Sequence, residues 1–183
     1  MSLLVDLIPI GTELMLGRIE DTNTRFLSDA ITGMGGCVRR VITVRDDARD
    51  IADVVRESVA SEASYIITTG GLGPTPDPLT VSVLSELMGC GTLVDEGLLS
   101  NFQEKLQAKG VNEISNHMRK VATIPDIGRA APNRLGWGHC ITIDWCATTL
   151  FVLPGPPQEV SALFGAYIEP EFREAVNSDR CAT

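Results

Sequence analysis

The run from Leu3 to Ile10 is apolar except for Asp6 and predicts a buried strand. Asp21, Thr22 and Asn23 then offer helix N-caps. Phe26, Leu27, Ala30, Ile31 and Met34 follow at helical spacing, and Gly33, Gly35 and Gly36 supply a stop. Val38 to Val44 alternates β-branched residues with arginine and threonine and predicts a second strand. After Asp46-Asp47, the stripe Ile51, Val54, Val55, Ser58 and Val59 predicts a helix. Ser64–Thr69 is a third strand, and Leu79 to Met88 a short helix ending at Gly89. The order β-α-β-α-β-α points to a parallel sheet with right-handed crossovers and helices on both faces.

The second half is less regular. Asp95 can cap a helix carrying Leu98, Leu99, Phe102 and Leu106, and Asn112–Lys120 reads as a further helical piece. Pro125 to Gly138, interrupted by Pro132, Gly128 and Gly136, reads as loop. Cys140–Asp144 and Thr149–Leu153 are short strands close enough to form a β-hairpin. A final helix runs from Pro157 to Tyr167 and resumes after Pro170. The fold class expected is α/β, as one domain over residues 1–176 with a polar tail at 177–183.

Composition narrows the function classes. A chain of 183 residues with 44% apolar and 21% charged positions suits one soluble domain with a sizeable core. No apolar run reaches membrane-span length, and no basic segment precedes a hydrophobic stretch at the N-terminus. A cytoplasmic location with no membrane partner is the expectation. The net charge of −9 disfavours nucleic acid as a partner, and Arg39-Arg40 reads as a solvated strand face. Five cysteines without a C-x-x-C pair, and two distant histidines, suggest reduced thiols and no zinc site.

Three Gly/Pro elements follow predicted strands: Gly11-Thr12-Glu13, Gly70-Gly71-Leu72-Gly73-Pro74-Thr75 and Pro154-Gly155-Pro156-Pro157. If the strands are parallel, all three share one rim, where open α/β sheets bind ligands. The glycine loop matches neither the dinucleotide fingerprint nor the P-loop. It is followed by Asp77-Pro78, an N-cap and first-turn pair whose free N–H groups suit a phosphate or carboxylate.

Asp77 reads either as that cap or as the catalytic group and metal ligand of a metal-assisted reaction. Thr75 and Thr80 either donate to a ligand or bond locally. Glu13 is either a solvated charge or a binder of ligand hydroxyl or metal. Asp46 and Asn23 read as helix-start residues on the rim, and Pro156 and Pro157 as a stiff pocket wall. No nucleophile–base pair is visible, so covalent catalysis is not favoured.

Taken together these elements resemble the molybdopterin-binding, MoaB/Mog-type domain, and within it the CinA-like (competence/damage-inducible) branch. The resemblance runs through Gly11-Thr12-Glu13-Leu14 with Leu16-Gly17, then Asp21-Thr22-Asn23, Asp46, Thr69 to Asp77, and Thr80. It continues through Asn116 to Pro125, Asn133 and Gly136, and closes at Leu153 to Glu159. It implies a three-layer α/β/α sandwich with a mostly parallel sheet, to which the hairpin is added. It implies a pocket for molybdopterin or a nucleotide, and self-association into a homo-oligomer. Its site residues would be Gly11, Thr12, Glu13, Asn23, Asp46, Gly70, Gly71, Leu72, Gly73, Pro74, Thr75, Thr80, Gly155, Pro156 and Pro157. For the CinA-like branch it further implies hydrolysis of ADP-ribose-type pyrophosphates with a divalent metal ion.

Longer members carry a C-terminal domain that deamidates nicotinamide mononucleotide, and that activity is not expected of these residues. Two positions depart from the family pattern. Pro78 stands where a second acid follows Asp77, and the alternative it raises is a binding protein without turnover. Gly136-Trp137-Gly138-His139 stands where small residues lead to Pro-Gly, and Trp137 either packs or stacks on a flat ring.

Overall fold

The computed structural model describes residues 3–72 and 79–181. Strand β1 (Leu4–Ile10) is followed by a single helical turn, α1 (Thr12–Met15), and by α2 (Thr22–Gly33). Then come β2 (Cys37–Val41), α3 (Ala48–Ala60), β3 (Tyr65–Gly70) and α4 (Leu79–Met88). The second half places β4 (Thr92–Val94), α5 (Glu96–Gln107), α6 (Asn116–Val121), β5 (Thr123–Pro125) and β6 (Arg129–Pro132). Finally β7 (His139–Trp145) and β8 (Thr148–Leu153) form the hairpin, before α7 (Pro157–Leu163), a π-helical turn (Phe164–Ile168) and α8 (Glu169–Cys181).

Six strands make one sheet in the order β2-β1-β3-β8-β7-β6. The β1–β2, β1–β3 and β3–β8 pairs are parallel, and the β8–β7 and β7–β6 pairs antiparallel. Alternation along the strands feeds two cores. Ile8, Ile66, Ile141 and Val152 pack with α3, α4 and α5 through Val55, Leu84 and Phe102. On the opposite face Leu7, Ile67, Phe151 and Leu153 pack with α2, α7 and α8 through Ile31, Leu163 and Phe172. This is the expected three-layer sandwich.

Local chemistry explains where the pattern misled. The second strand stops at Val41, and one bridge, Ile10 to Val44, carries the contact on. The stretch read as loop contains β6, an edge strand that tolerates Pro132 because no strand among the described residues pairs with its outer side. β4 and β5 pair in a separate antiparallel ladder of three residues each, too short for a periodicity. Pro170 does not interrupt the last helix. Just before it the ladder widens, and Glu169 N–H donates to the Phe164 carbonyl five residues back. Such a bulge accommodates a residue that has no N–H to donate. Residues 177–181, expected as a polar tail, continue α8.

Arg39 and Arg40 are not a solvated face. Asp6 is fully buried in β1 and receives Arg39 Nε and Nη2 at 2.9 and 2.7 Å. Arg40 Nη2 lies 2.9 Å from Asp6 and Nη1 2.6 Å from Glu57. Burial pushes the Asp6 carboxyl up, but hydrogen bonds from Arg39, Arg40 and Ser58 outweigh it and leave the group below its ordinary range. The adjacent arginines thus hold a buried charge between β1, β2 and α3.

Candidate functional site

Parallel pairing decides where the loops go. Ile10 pairs with Gly70, Thr69 pairs with Leu153, and Ile10 bridges Val44, so the ends of β1, β3 and β8 lie side by side. Gly11–Glu13, Gly70-Gly71 and Pro154–Pro157 therefore leave the sheet at one edge, together with Asp46. They border a cleft of about 580 Å³.

The loops are also tied to one another. Gly11 N–H donates to the Val44 carbonyl at 3.0 Å. Asp46 Oδ2 accepts from Thr12 N–H at 2.8 Å and from the Thr12 hydroxyl at 3.3 Å. Asn23 Nδ2, on the first turn of α2, donates to the Gly155 carbonyl at 2.8 Å. Gly70 takes a φ of +90°, and a Cβ there would stand 2.2 Å from the Ile10 carbonyl oxygen. Only a glycine fits where β3 turns against the end of β1.

Of the residues named from sequence, Glu13, Asn23, Asp46, Gly70, Gly71, Gly155, Pro156 and Pro157 line this cleft. Thr12 is engaged with Asp46, and Leu72 faces a second cavity. Thr80 is fully buried, and its hydroxyl lies against the position a Gly71 Cβ would take, so it backs the loop from within. Expectations for Gly73, Pro74, Thr75, Asp77 and Pro78 lie outside the described residues.

The cleft is acidic. Glu13, Glu20, Asp21 and Asp46 line it, and among the described residues no lysine or arginine does. Asp21 caps α2, accepting from Thr24 N–H at 2.9 Å, and Asp46 is engaged by Thr12. Glu13 and Glu20 have no protein partner among the described residues. Glu20 was missed from sequence, where only its place beside the Asp21-Thr22-Asn23 helix start marked it.

Among the described residues no group of three or more His, Cys, Asp or Glu side chains is arranged to hold a metal ion alone. A magnesium-type ion needs less, because it is held by one or two carboxylates and the oxygens of a phosphorylated ligand. Glu13 and Glu20, which both line the cleft, are carboxylates of the kind that mode needs.

A second cavity of about 440 Å³ adjoins the first across Gly155 and Pro156. Its walls are mostly apolar and include Phe102, Trp137 and the buried His139. Burial pushes the His139 pKa down to about 4. The buried Cys140 beside it is pushed up to about 12, which leaves it inert as a nucleophile. None of the helices among the described residues is long and apolar enough to cross a membrane.

Known proteins share this architecture. A relative from Pyrobaculum calidifontis is 35% identical over 164 residues, covering 90% of this chain and 62% of its own length. A competence-damage inducible protein from Desulforudis audaxviator is 31% identical over 92% of the chain and 40% of its own length. The chain thus spans about three fifths or less of these two relatives. The crystal structure of CinA from Thermoplasma acidophilum superposes with a TM-score of 0.84 at 29% identity, covering 93% of this chain and 98% of that one. MoaB from Thermus thermophilus superposes at 0.60 with 18% identity, over 91% and 90%, and shows the shared fold. The family model described as "Probable molybdopterin binding domain" matches residues 6–174. With nearly the whole chain matched and the cleft at the expected strand ends, this protein belongs to the molybdopterin-binding domain family and is CinA-like within it.

Proposed function

We propose that the cleft binds a phosphorylated nucleotide or pterin together with a divalent cation, and that it hydrolyses an ADP-ribose-type pyrophosphate link. The observation that carries this reading is the charge of the walls. A bare anion would be repelled by Glu13 and Glu20, with no basic side chain among the described wall residues to offset them. A ligand that brings a cation of its own turns those carboxylates into partners. The backbone at Gly70 and Gly71 presents no side chain to the incoming phosphates, which can approach closely there.

The roles follow from position. Glu13 would hold the cation, with Asp77 added as a ligand on the family resemblance alone; when bound, the cation would supply charge neutralisation and a water acidified for attack on phosphorus. Glu20 stands where it can accept hydroxyl protons from a sugar. Asn23 and Asp46 hold the Gly155 and Thr12 segments, so the walls keep their spacing while ligand enters.

A second reading, binding without turnover, is favoured by Pro78, which can neither coordinate an ion nor accept a proton. Purified protein incubated with ADP-ribose and magnesium or manganese separates the two. Release of AMP and ribose 5-phosphate supports hydrolysis. Thermal stabilisation by ADP-ribose and metal without AMP release supports the binder, in which case Pro78→Asp should raise turnover. If ADP-ribose and pterin phosphates neither react nor stabilise, the proposal fails.

A further inference from the structure

The segment that follows β1 lines the acidic cleft with Glu13, Leu14, Ile19 and Glu20. It also carries apolar side chains that the fold leaves uncovered. Helix α1 buries none of its residues. Met15, Leu16 and Ile19 belong to neither core and are 53%, 57% and 59% exposed. Scattered apolar residues on a surface need no explanation, but a run of them beside a site does.

The exposure is built into the backbone. Leu14 and Met15 N–H both donate to the Gly11 carbonyl, at 3.1 and 3.3 Å, and Leu16 N–H donates to the Thr12 carbonyl at 3.1 Å. Gly17 takes a φ of +64°. Gly17 and Arg18 N–H then close the turn on the Leu14 and Glu13 carbonyls, each at 3.0 Å. The 2.8 Å bond from Thr12 N–H to Asp46 ties the turn to the rim. Held this way, Met15 and Leu16 form a fixed surface.

Charge marks what that surface fits. Arg18 stands between Glu13 and Glu20 in sequence, and none of the three has a side-chain partner among the described residues. From Met15 to Glu20 the charges of Arg18 and Glu20 cancel, in a chain of net charge −9. Two copies can therefore meet here without the repulsion that the rest of an acidic surface imposes. A segment with apolar side chains and one charge of each sign complements itself across a two-fold axis, where every contact is made twice. A foreign partner selected by charge would find no net charge here to select it.

We propose that the segment from Met15 to Glu20 is the contact surface of a symmetric dimer, in which Leu16 and Ile19 pack against their counterparts and Arg18 of each copy pairs with Glu20 of the other. The contact brings Arg18 of the partner subunit to a carboxylate of the cleft wall. The second copy thus supplies the basic side chain that the described wall residues lack. A carboxylate has lone pairs for more than one donor, so Glu20 stays available to a ligand hydroxyl. Few side chains take part, which places the dimer in the weak, reversible class. The inference goes beyond the proposed function and does not depend on what the cleft binds.

Sedimentation velocity across the micromolar range, without ligand, tests it. Wild type should show a reversible monomer–dimer equilibrium. Leu16→Asp, at an exposed position that lines neither cavity, should be monomeric throughout. Arg18→Glu sets acid against acid at both pairs, and Glu20→Arg sets base against base, so each alone should weaken the dimer about tenfold or more. Mixed in equal amounts, these two variants should recover wild-type association, because each supplies the charge that the other lacks.

A wild type that stays monomeric would overturn the proposal, and so would an oligomer that survives Leu16→Asp. Undiminished association of Arg18→Glu alone, or a mixture no better associated than its components, would also overturn it, by removing the Arg18–Glu20 pairing. AMP release from ADP-ribose is a separate readout. A dimer with these properties that releases no AMP would keep this inference and remove hydrolysis, and a monomer that hydrolyses ADP-ribose would do the reverse.

Discussion

Gly70→Ala tests the geometry on which the cleft depends. The residue sits at φ +90°, and the new Cβ would lie 2.2 Å from the Ile10 carbonyl oxygen and 3.3 Å from its carbon. A residue with a Cβ pays about 1–2 kcal/mol for the left-handed conformation. The contact with oxygen cannot be relieved by a rotamer, because both partners are backbone and Ile10 is paired with Gly70 in the β1–β3 ladder. Backbone adjustment adds about another 1–2 kcal/mol, which brings the total to about 3 kcal/mol. For a domain of this size that is a fall in Tm of roughly 6–12 °C.

The matched control is Gly155→Ala, whose Cβ meets nothing nearer than Gly70 Cα at 3.8 Å. That variant should stay within about 0.5 kcal/mol of wild type while placing a methyl group on the cleft wall. Urea denaturation at fixed pH, with thermal melting alongside, measures both. A Gly70→Ala midpoint equal to wild type would refute the strained junction. So would a Gly155→Ala protein as unstable as Gly70→Ala.

Other perturbations follow from the same structure. Asp6→Asn removes the charge that Arg39 and Arg40 neutralise and should cost about 3 kcal/mol by chemical denaturation, the low end for a broken buried pair because both guanidinium groups keep some solvent. Because the folded Asp6 carboxyl is depressed, its contribution is present above the unfolded pKa and disappears as pH falls through the folded one, so Asp6→Asn should also flatten that acid loss.

His139 acts separately. Its folded pKa of about 4 lies below the ordinary 6.5, so wild type should lose up to about 3 kcal/mol between pH 6.5 and 4, as the unfolded chain takes a proton that the native one refuses. Asp95 opposes that shift, and Glu159 and His117 line the same cavity. His139→Phe should shallow this limb, and an unchanged pH–stability curve would contradict the buried neutral imidazole. Asn23→Ala breaks the 2.8 Å link to Gly155 and should lower stability by under about 1 kcal/mol. It should weaken ADP-ribose binding severalfold in the presence of magnesium, and equal affinity would show the link to be idle.

Much of the frame is legible in the sequence because it is written in apolar periodicity. β1, β3, α2, α3 and the β7–β8 hairpin each bury a continuous run or stripe, and their order implies the parallel sheet. The rim loops were legible for a related reason, since glycine and proline mark strand ends and parallel strands put those ends together. β6 was hidden because Arg129–Pro132 is a half-exposed edge strand whose strand character comes from β7. β4 and β5 were hidden because three residues carry no period.

The site was read less well. Acidity of the cleft depends on Glu20 joining Glu13 across a turn, and spacing along the chain does not encode that. Thr80 was legible only as an alternative, a ligand contact or a local bond. Its place in the motif suggested a ligand contact, but helix α4 turns it inward beneath Gly71.

The two cavities bear on how an acidic chain would use this fold for the phosphorylated ligand proposed above. Both share the Gly155-Pro156 wall; the first sets the carboxylates of Glu13 and Glu20 among apolar groups, and the second is aromatic and aliphatic apart from Glu159 and two histidines. A ligand of one chemical character would be poorly served by such a pair. A phosphate with no ring would meet only repulsion unless it brought a cation, and a ring with no phosphate would leave the acidic cleft to water. Only a molecule with both parts, held at a fixed distance by a sugar or a short chain, draws on both surfaces at once. The Gly155-Pro156 wall is itself fixed, by Asn23 Nδ2 donating to the Gly155 carbonyl and by the Glu159 and Val160 N–H groups donating to the Pro156 carbonyl. On the proposed reading, discrimination would come from the separation between the charged and uncharged parts of the ligand more than from the strength of either contact.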